Sequence, residues 1–373
     1  MERGREREYV IGMRRAIRSS WLATGAGLGL VLALSAGPTS SGPKLLVTLA
    51  SLVPAGDPLA RQDLSFDARF AAQALDYFKT GDERLLAEIP LLPATAHLLA
   101  HARNFDYDVP KDSPQALVGS LLAPSPDRLR GVATCEKSLA YFTGPMLEDP
   151  HWVLDALAYL PSGFRFHGSL FLTFGYDIGV AFPPNASLNG AQRHFGEQPR
   201  ELVYYAIHEL HHAGFMSYQP PPRLADLKTC RDVLGLVRYS TALEGMAVLA
   251  AWPRRRDEKA LADDPDYVAL GDSERMRRDV AAYFRDYDSL VARGDRPADK
   301  EAWAVIDRMS SGERLWYRVG ALMARRFEEV RGRAALVGLV TQGPVRFVEA
   351  WPKSSKLCSI WDLAVPRIDS SRS

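Results

Sequence analysis

The chain lacks the residue types that would place it in several large functional classes. It has three cysteines, Cys135, Cys230 and Cys358, far apart in the sequence and in no CxxC pair. That leaves room for one disulfide and excludes a disulfide framework, a thiolate zinc site and a dithiol redox motif. No charge of one sign is in excess, because 46 Lys and Arg stand against 45 Asp and Glu. Without a global field to gather phosphates, nucleic acid is not an expected partner. Histidine is scarce at eight residues, and none follows His212. The chain shows no internal repeat and, after its N-terminal part, no low-complexity tract.

What is present is an ordinary globular composition, 47% hydrophobic over 373 residues, which is enough to bury a sizeable core. The first 43 residues differ from the rest. Residues 1–20 carry six arginines against three glutamates, and Trp21 to Ala36 is an uncharged apolar run that leads into a Gly/Pro/Ser stretch ending at Pro43. A basic stretch, an apolar core and small residues in that order read as a secretory signal. The run is short for a spanning helix, which needs about 20 residues. The expectation is a signal peptide or an N-terminal membrane anchor with a linker over 1–43. The rest of the chain is then exported to the periplasm or the extracellular space, or held at the membrane through residues 21–36.

Residues 44–373 read as one catalytic domain, α+β and mostly helical. The spacing of Phe66, Phe70, Ala74 and Phe78 predicts a helix closed by Gly81, and another is expected over 94–105. His97 and His101 fall at i, i+4 on the second. With no carboxylate placed as a base they read as packing or polar histidines. Residues 44–165 are therefore expected to be mainly helical. Gly168 to Phe182 is rich in aromatic and β-branched residues between glycines and predicts two strands ended by Pro183-Pro184-Asn185. Residues 166–255 thus carry the strands and the metal-binding helices, and 256–373 a helical C-terminal part. Connections are expected at 219–222, 253–256, 294–297 and 343–344.

The informative stretch is His208-Glu209-Leu210-His211-His212, an HExxH motif. Residues four apart on a helix share a face, so His208 and His212 can reach one zinc ion while Glu209 lies beside it as a general base. Pro199 and Glu201 suit the helix start, and Gly214 lies where a C-cap could fall. A catalytic zinc takes three protein ligands and leaves a position for water. With no histidine after His212 a third-histidine scheme downstream is excluded, and Asp226, Asp232 and Glu244 are the candidates. Arg231 to Trp252 reads as a helix with Val237, Thr241, Glu244, Val248 and Ala251 on one apolar stripe. A carboxylate there is unfavourable unless paired or bound to metal, which favours Glu244. Gly245 beside it would permit close approach to the HExxH helix. A donor for the oxyanion of the attacked carbonyl is also needed. Tyr317 is the first choice, with Tyr239 and His211 behind it.

HELHH followed about thirty residues later by Glu244-Gly245-Met246-Ala247 resembles the gluzincin class of zinc peptidases. Within that class it is similar to bacterial families catalogued as domains of unknown function that carry an EGxA second motif. Trp316-Tyr317-Arg318-Val319-Gly320, Gly343-Pro344 and Phe347 resemble their C-terminal helices, and the likeness spans roughly residues 60–352. The resemblance implies a zincin-like core with a small β-sheet beside the active-site helix. It also implies one zinc ion on His208, His212 and Glu244, and a peptide or protein as substrate. By the same resemblance an extended peptide would pair with a strand edge, for which Ser169 to Phe174 is the candidate. Two other readings compete. Glu209 with His212 also fits the ExxH pair of di-iron bundles, a spacing that Glu148 and His151 repeat, although Pro150 interrupts a helix there. An exported, non-catalytic binding or scaffold protein could retain the same fold.

Overall fold

The computed structural model describes residues 44–351. The N-terminal segment read as a signal or anchor, and Cys358, lie outside these residues. The described part is a mostly helical α+β structure with one small mixed sheet. Its strands are β1 (Leu46–Thr48), β2 (Asp63–Asp67), β3 (His167–Thr173), β4 (Gly179–Phe182) and β5 (Asn185–Asn189). They lie in the order β1-β2-β3-β5-β4. β2, β3 and β5 run parallel, and β1 and β4 flank them antiparallel.

Several expectations need correction here. Phe66 does not start a helix but lies in β2, paired with Leu170, and the helix α1 begins at Arg69 and runs to Thr80. The aromatic spacing misleads because Phe66 and Phe70 both enter the core, one from the strand and the other from the helix that follows it. The segment 44–165 therefore contributes two strands to the sheet. Pro183-Pro184 is a turn rather than an end, since β5 follows at once and pairs back on β4. Ser169–Phe174 is no free edge either: β3 is paired on both sides, and the strand at the far edge is β4.

The main helices after α1 are α2 (Pro93–Asn104), α3 (Pro126–Thr143), α4 (Glu201–Tyr218), α5 (Cys230–Asp257), α6 (Pro265–Gly271), α7 (Ser273–Arg293), α8 (Leu315–Arg331) and α9 (Pro344–Glu349). Buried apolar side chains from Val47 to Trp351 form one continuous cluster. α4 packs on β4 and β5, and α5 packs against both α4 and α8.

Glycines set two of these distances. A Cβ on Gly214 would lie 2.3 Å from Leu160 Cδ1, so this residue is a packing notch inside α4, not its C-cap, and the helix continues to Tyr218. A Cβ on Gly245 would lie 2.2 Å from the backbone of Gly320, and one on Gly320 would lie 2.4 Å from the Thr241 carbonyl. Gly245 thus admits α8 rather than the HExxH helix, and the two backbones cross in contact.

α5 starts in a capping box between Thr229 and Asp232 and runs through Pro253 to Asp257, where a connection is expected from the sequence. The backbone bond lost at Pro253 is offset in the next turn, where Arg254 and Arg255 pair with Asp155 and Glu201. By length and composition α5 is the one helix among the described residues that could cross a membrane, but most of it is buried inside the protein as a core helix.

Candidate metal and catalytic site

α4 carries the HExxH residues at mid-length, with Leu202, Ala206, Ile207 and Leu210 buried around them. His208 and His212 lie one turn apart and meet edge to face, with ring centroids 4.4 Å apart. Across from them, α5 presents Glu244. Its Oε2 lies 3.1 Å from His208 Nε2 and 3.0 Å from His212 Nε2. Among the described residues this is the group whose ligand atoms fit one metal ion, all lying within 4.8 Å of one another.

The donor set suits such an ion. Two imidazoles and one carboxylate converge on one point, and Arg238, a base on the same helix as Glu244, donates to the Tyr287 hydroxyl. Burial and the neighbouring His212 push His208 down to about 4, so its imidazole is neutral and free to ligate at ordinary pH. Burial opposes charge on Glu244, but His212 and His208 outweigh it and hold the carboxyl well below the usual range.

Glu209 lies against the start of β4. A Cβ on Gly179 would lie 2.5 Å from Glu209 Oε1, so only glycine leaves room for this carboxylate at the edge strand. Burial, with a smaller push from Glu244 and Asp177, raises the Glu209 carboxyl to about 8. Its proton affinity is therefore close to neutrality, the range that suits a general base.

The other aspartate candidates stand apart. Asp226 is exposed beside Arg223, and Asp232 caps α5. Tyr239 donates its hydroxyl to the Gln219 carbonyl, and His211 Nε2 bonds the Tyr159 carbonyl, so both are engaged elsewhere. Tyr317 lies one turn before Gly320, on the face that the glycine crossing brings to α5, and Glu244 is the charge that acts on it most strongly. Burial, reinforced by Glu244, keeps its phenol protonated far above neutral pH. The Arg314 guanidinium lies 3.9 Å over the Tyr317 ring and is clamped by Asp266 at 2.7 Å. Arg314 itself takes a left-handed conformation at φ +54 to start α8.

Residues 148–151 do not join the site. Glu148 is exposed, and His151 bonds Asp149 and Asp57 at the surface, so the second ExxH pair required for a di-iron centre is elsewhere. His97 and His101 are buried packing histidines: His97 Nε2 bonds the Val180 carbonyl, and His101 Nδ1 bonds the Tyr176 hydroxyl. Cys135 and Cys230 are buried free thiols.

Sequence reasoning missed Gly179, Asp177 and Arg314. Gly179 opens β4 and Asp177 lies in the bend before it, while Arg314 precedes α8, far from HExxH in sequence. The one local sign was a glycine inside a strand pattern, which marks a close approach.

A family model described as "Putative zinc dependent peptidase (DUF5700)" matches residues 153–357. That span includes the HExxH helix, Glu244 and Tyr317. No curated protein and no solved structure matches the chain.

Proposed function

Since the chain belongs to the DUF5700 family, we propose that it is a zinc metallopeptidase of the gluzincin type, built on a zincin-like core. The observation that carries this reading is the convergence of His208, His212 and Glu244 at 3.0–3.1 Å from two helices, with Glu209 beside them at the head of an edge strand. His208 Nε2, His212 Nε2 and Glu244 Oε2 would hold one zinc ion. When bound, the ion supplies a Lewis acid that acidifies water and polarises the scissile carbonyl.

The protein supplies the rest. Glu209 takes a proton from the attacking water and returns it to the leaving amine. Tyr317, kept as a neutral phenol, donates a hydrogen bond to the oxygen of the attacked carbonyl as negative charge grows there. The glycine crossing of α5 and α8 holds that hydroxyl in register with Glu244, and Arg314 fixes the ring from its other face. β4 replaces the interior strand β3 as the edge on which an extended substrate would pair, because it ends the sheet and Gly179 abuts the base. Residues 1–43 would export the chain or anchor it at the membrane.

The test is metal analysis of the purified full chain followed by a cleavage screen on a proteome-derived peptide library. The proposal expects about one zinc per chain, and cleavage that a chelator abolishes and zinc restores. Zinc binding without any cleavage would favour the non-catalytic scaffold reading, and a chain that takes up no zinc would refute both.

A further inference from the structure

One carboxylate in the cleft has no role in the chemistry above. Asp177 lies in the bend that leads into β4, two residues before Gly179. A Cβ on Gly179 would meet Glu209, so the bend holds Asp177 close to the base. Glu209, Glu244 and Tyr317 all feel its charge. Its Oδ2 accepts the Tyr107 hydroxyl at 2.5 Å and its Oδ1 the Ile178 amide at 2.8 Å, so the group is held in one orientation.

Among the described residues no ion pair satisfies it. The cation whose field reaches it, Arg314, is already clamped by Asp266 at 2.7–2.8 Å and stacked on Tyr317. Desolvation raises the half-buried Asp177 carboxyl above its ordinary value, and a carboxylate left without a counter-charge beside a catalytic base marks a place for a cationic ligand that would favour its charged form.

Its surroundings suit a cation. The Tyr107 and Tyr176 rings lie 5.0 Å apart, and His101 packs against both. The Tyr176 hydroxyl donates to the Leu98 carbonyl and accepts from His101 Nδ1, so this aromatic wall is pinned to α2. Aromatic faces beside a carboxylate attract ammonium and guanidinium groups. Asp177, Glu209 and Glu244 together give the cleft three carboxylates, and its one nearby guanidinium is already committed.

We propose that Asp177, walled by Tyr107 and Tyr176, receives a positive charge of the substrate next to the scissile bond, either an α-ammonium group or a lysine or arginine side chain. This deepens the peptidase reading and rests on it.

Three zinc-directed probes test it by calorimetry on the zinc-loaded full chain: leucine hydroxamate, N-acetylleucine hydroxamate and Nα-acetyllysine hydroxamate. At least one cationic probe should bind about tenfold or more tighter than the neutral one, as a partly desolvated charge pair warrants. Tighter binding of leucine hydroxamate identifies the α-ammonium group, and tighter binding of acetyllysine hydroxamate identifies a side chain. In Asp177→Asn, whose amide oxygen can still accept the Ile178 amide while its amide nitrogen donates to the Tyr107 hydroxyl oxygen, the affinity ratio should fall to near unity. Equal affinities in the natural protein, or a preference that survives Asp177→Asn, would overturn the inference while leaving the zinc site standing. Failure of all three probes to bind would overturn it together with the zinc reading.

Discussion

The helices α4 and α5 are bridged twice by a carboxylate, and the two bridges differ in what faces the acid. At one end Glu201 on α4 meets Arg255 on α5 through two hydrogen bonds of 2.8 and 2.6 Å. The guanidinium is 2% exposed, lies over the rings of Tyr204 and Tyr267, and has Asp264 at 3.8 Å. In the middle of the same helix pair the acid comes from α5 and its partners are two imidazoles. Burial opposes charge on Arg255, yet Tyr267, Glu201 and Asp264 keep it protonated, so this bridge has a permanent cation locked in place. His208 is readily neutral, and His212, raised by Glu244, carries a proton that a metal ion can displace, so the Glu244 bridge has no fixed cation of its own. A fixed ion pair holds the helices together, whereas two imidazoles and a carboxylate hold a place that a divalent ion can take.

Removing one partner from each bridge should therefore have opposite consequences. Glu244→Ala leaves two imidazoles on one helix. Losing a supporting partner outside the ligand set already weakens zinc about 10- to 100-fold, and a lost ligand should cost at least that. Zinc content and hydrolysis should both collapse while far-UV circular dichroism and the unfolding midpoint of the metal-free protein change little. A variant that keeps full zinc would break the comparison.

Arg255→Ala should do the reverse. It leaves Glu201 buried without its partner, at a cost of roughly 3–5 kcal/mol in urea unfolding. The molecules that remain folded should still bind zinc in the natural proportion, which metal analysis of the monodisperse fraction checks.

The smallest effect comes from acid. His97 is buried and neutral beneath β4, its pKa pushed down from 6.5 to about 4 by burial. The unfolded chain takes up a proton that folded His97 refuses. Its contribution is therefore full above pH 6.5 and is lost as pH falls toward 4. At pH 5 the loss is about 2 kcal/mol for this one group. His97→Gln should show a correspondingly shallower decline in unfolding free energy between pH 6.5 and 5. An equal decline in the natural protein and His97→Gln would contradict the assignment.

The two bridges were not equally legible in the sequence. HExxH declares itself because helical periodicity alone puts His208 and His212 on one face, and Glu244 stands out as a charge in an apolar stripe. Glu201 was noted only as an acid suited to a helix start, and Arg255 was placed in a connection, because a proline at 253 argues locally against the turn that carries it. The partner of Gly245 was hidden for a related reason. A glycine announces a close approach but not what approaches, and Gly320 lies 75 residues away in the sequence. The strand edge was misassigned because apolar runs do not reveal their order in a sheet. β5 escaped notice because it follows β4 after a turn too short to separate two patterns. Asp177 and Arg314 have no local signature, since only the fold brings their loops to the cleft.

The most direct test of the account is Glu209→Gln. The amide keeps the shape beside Gly179 and leaves His208, His212 and Glu244 intact, so zinc should bind as in the natural protein. Proton transfer is lost, and cleavage of the best library peptide should fall by about 10²- to 10⁴-fold. A Glu209→Gln protein that retains both zinc and full activity would contradict the assignment of the base, and with it the peptidase mechanism.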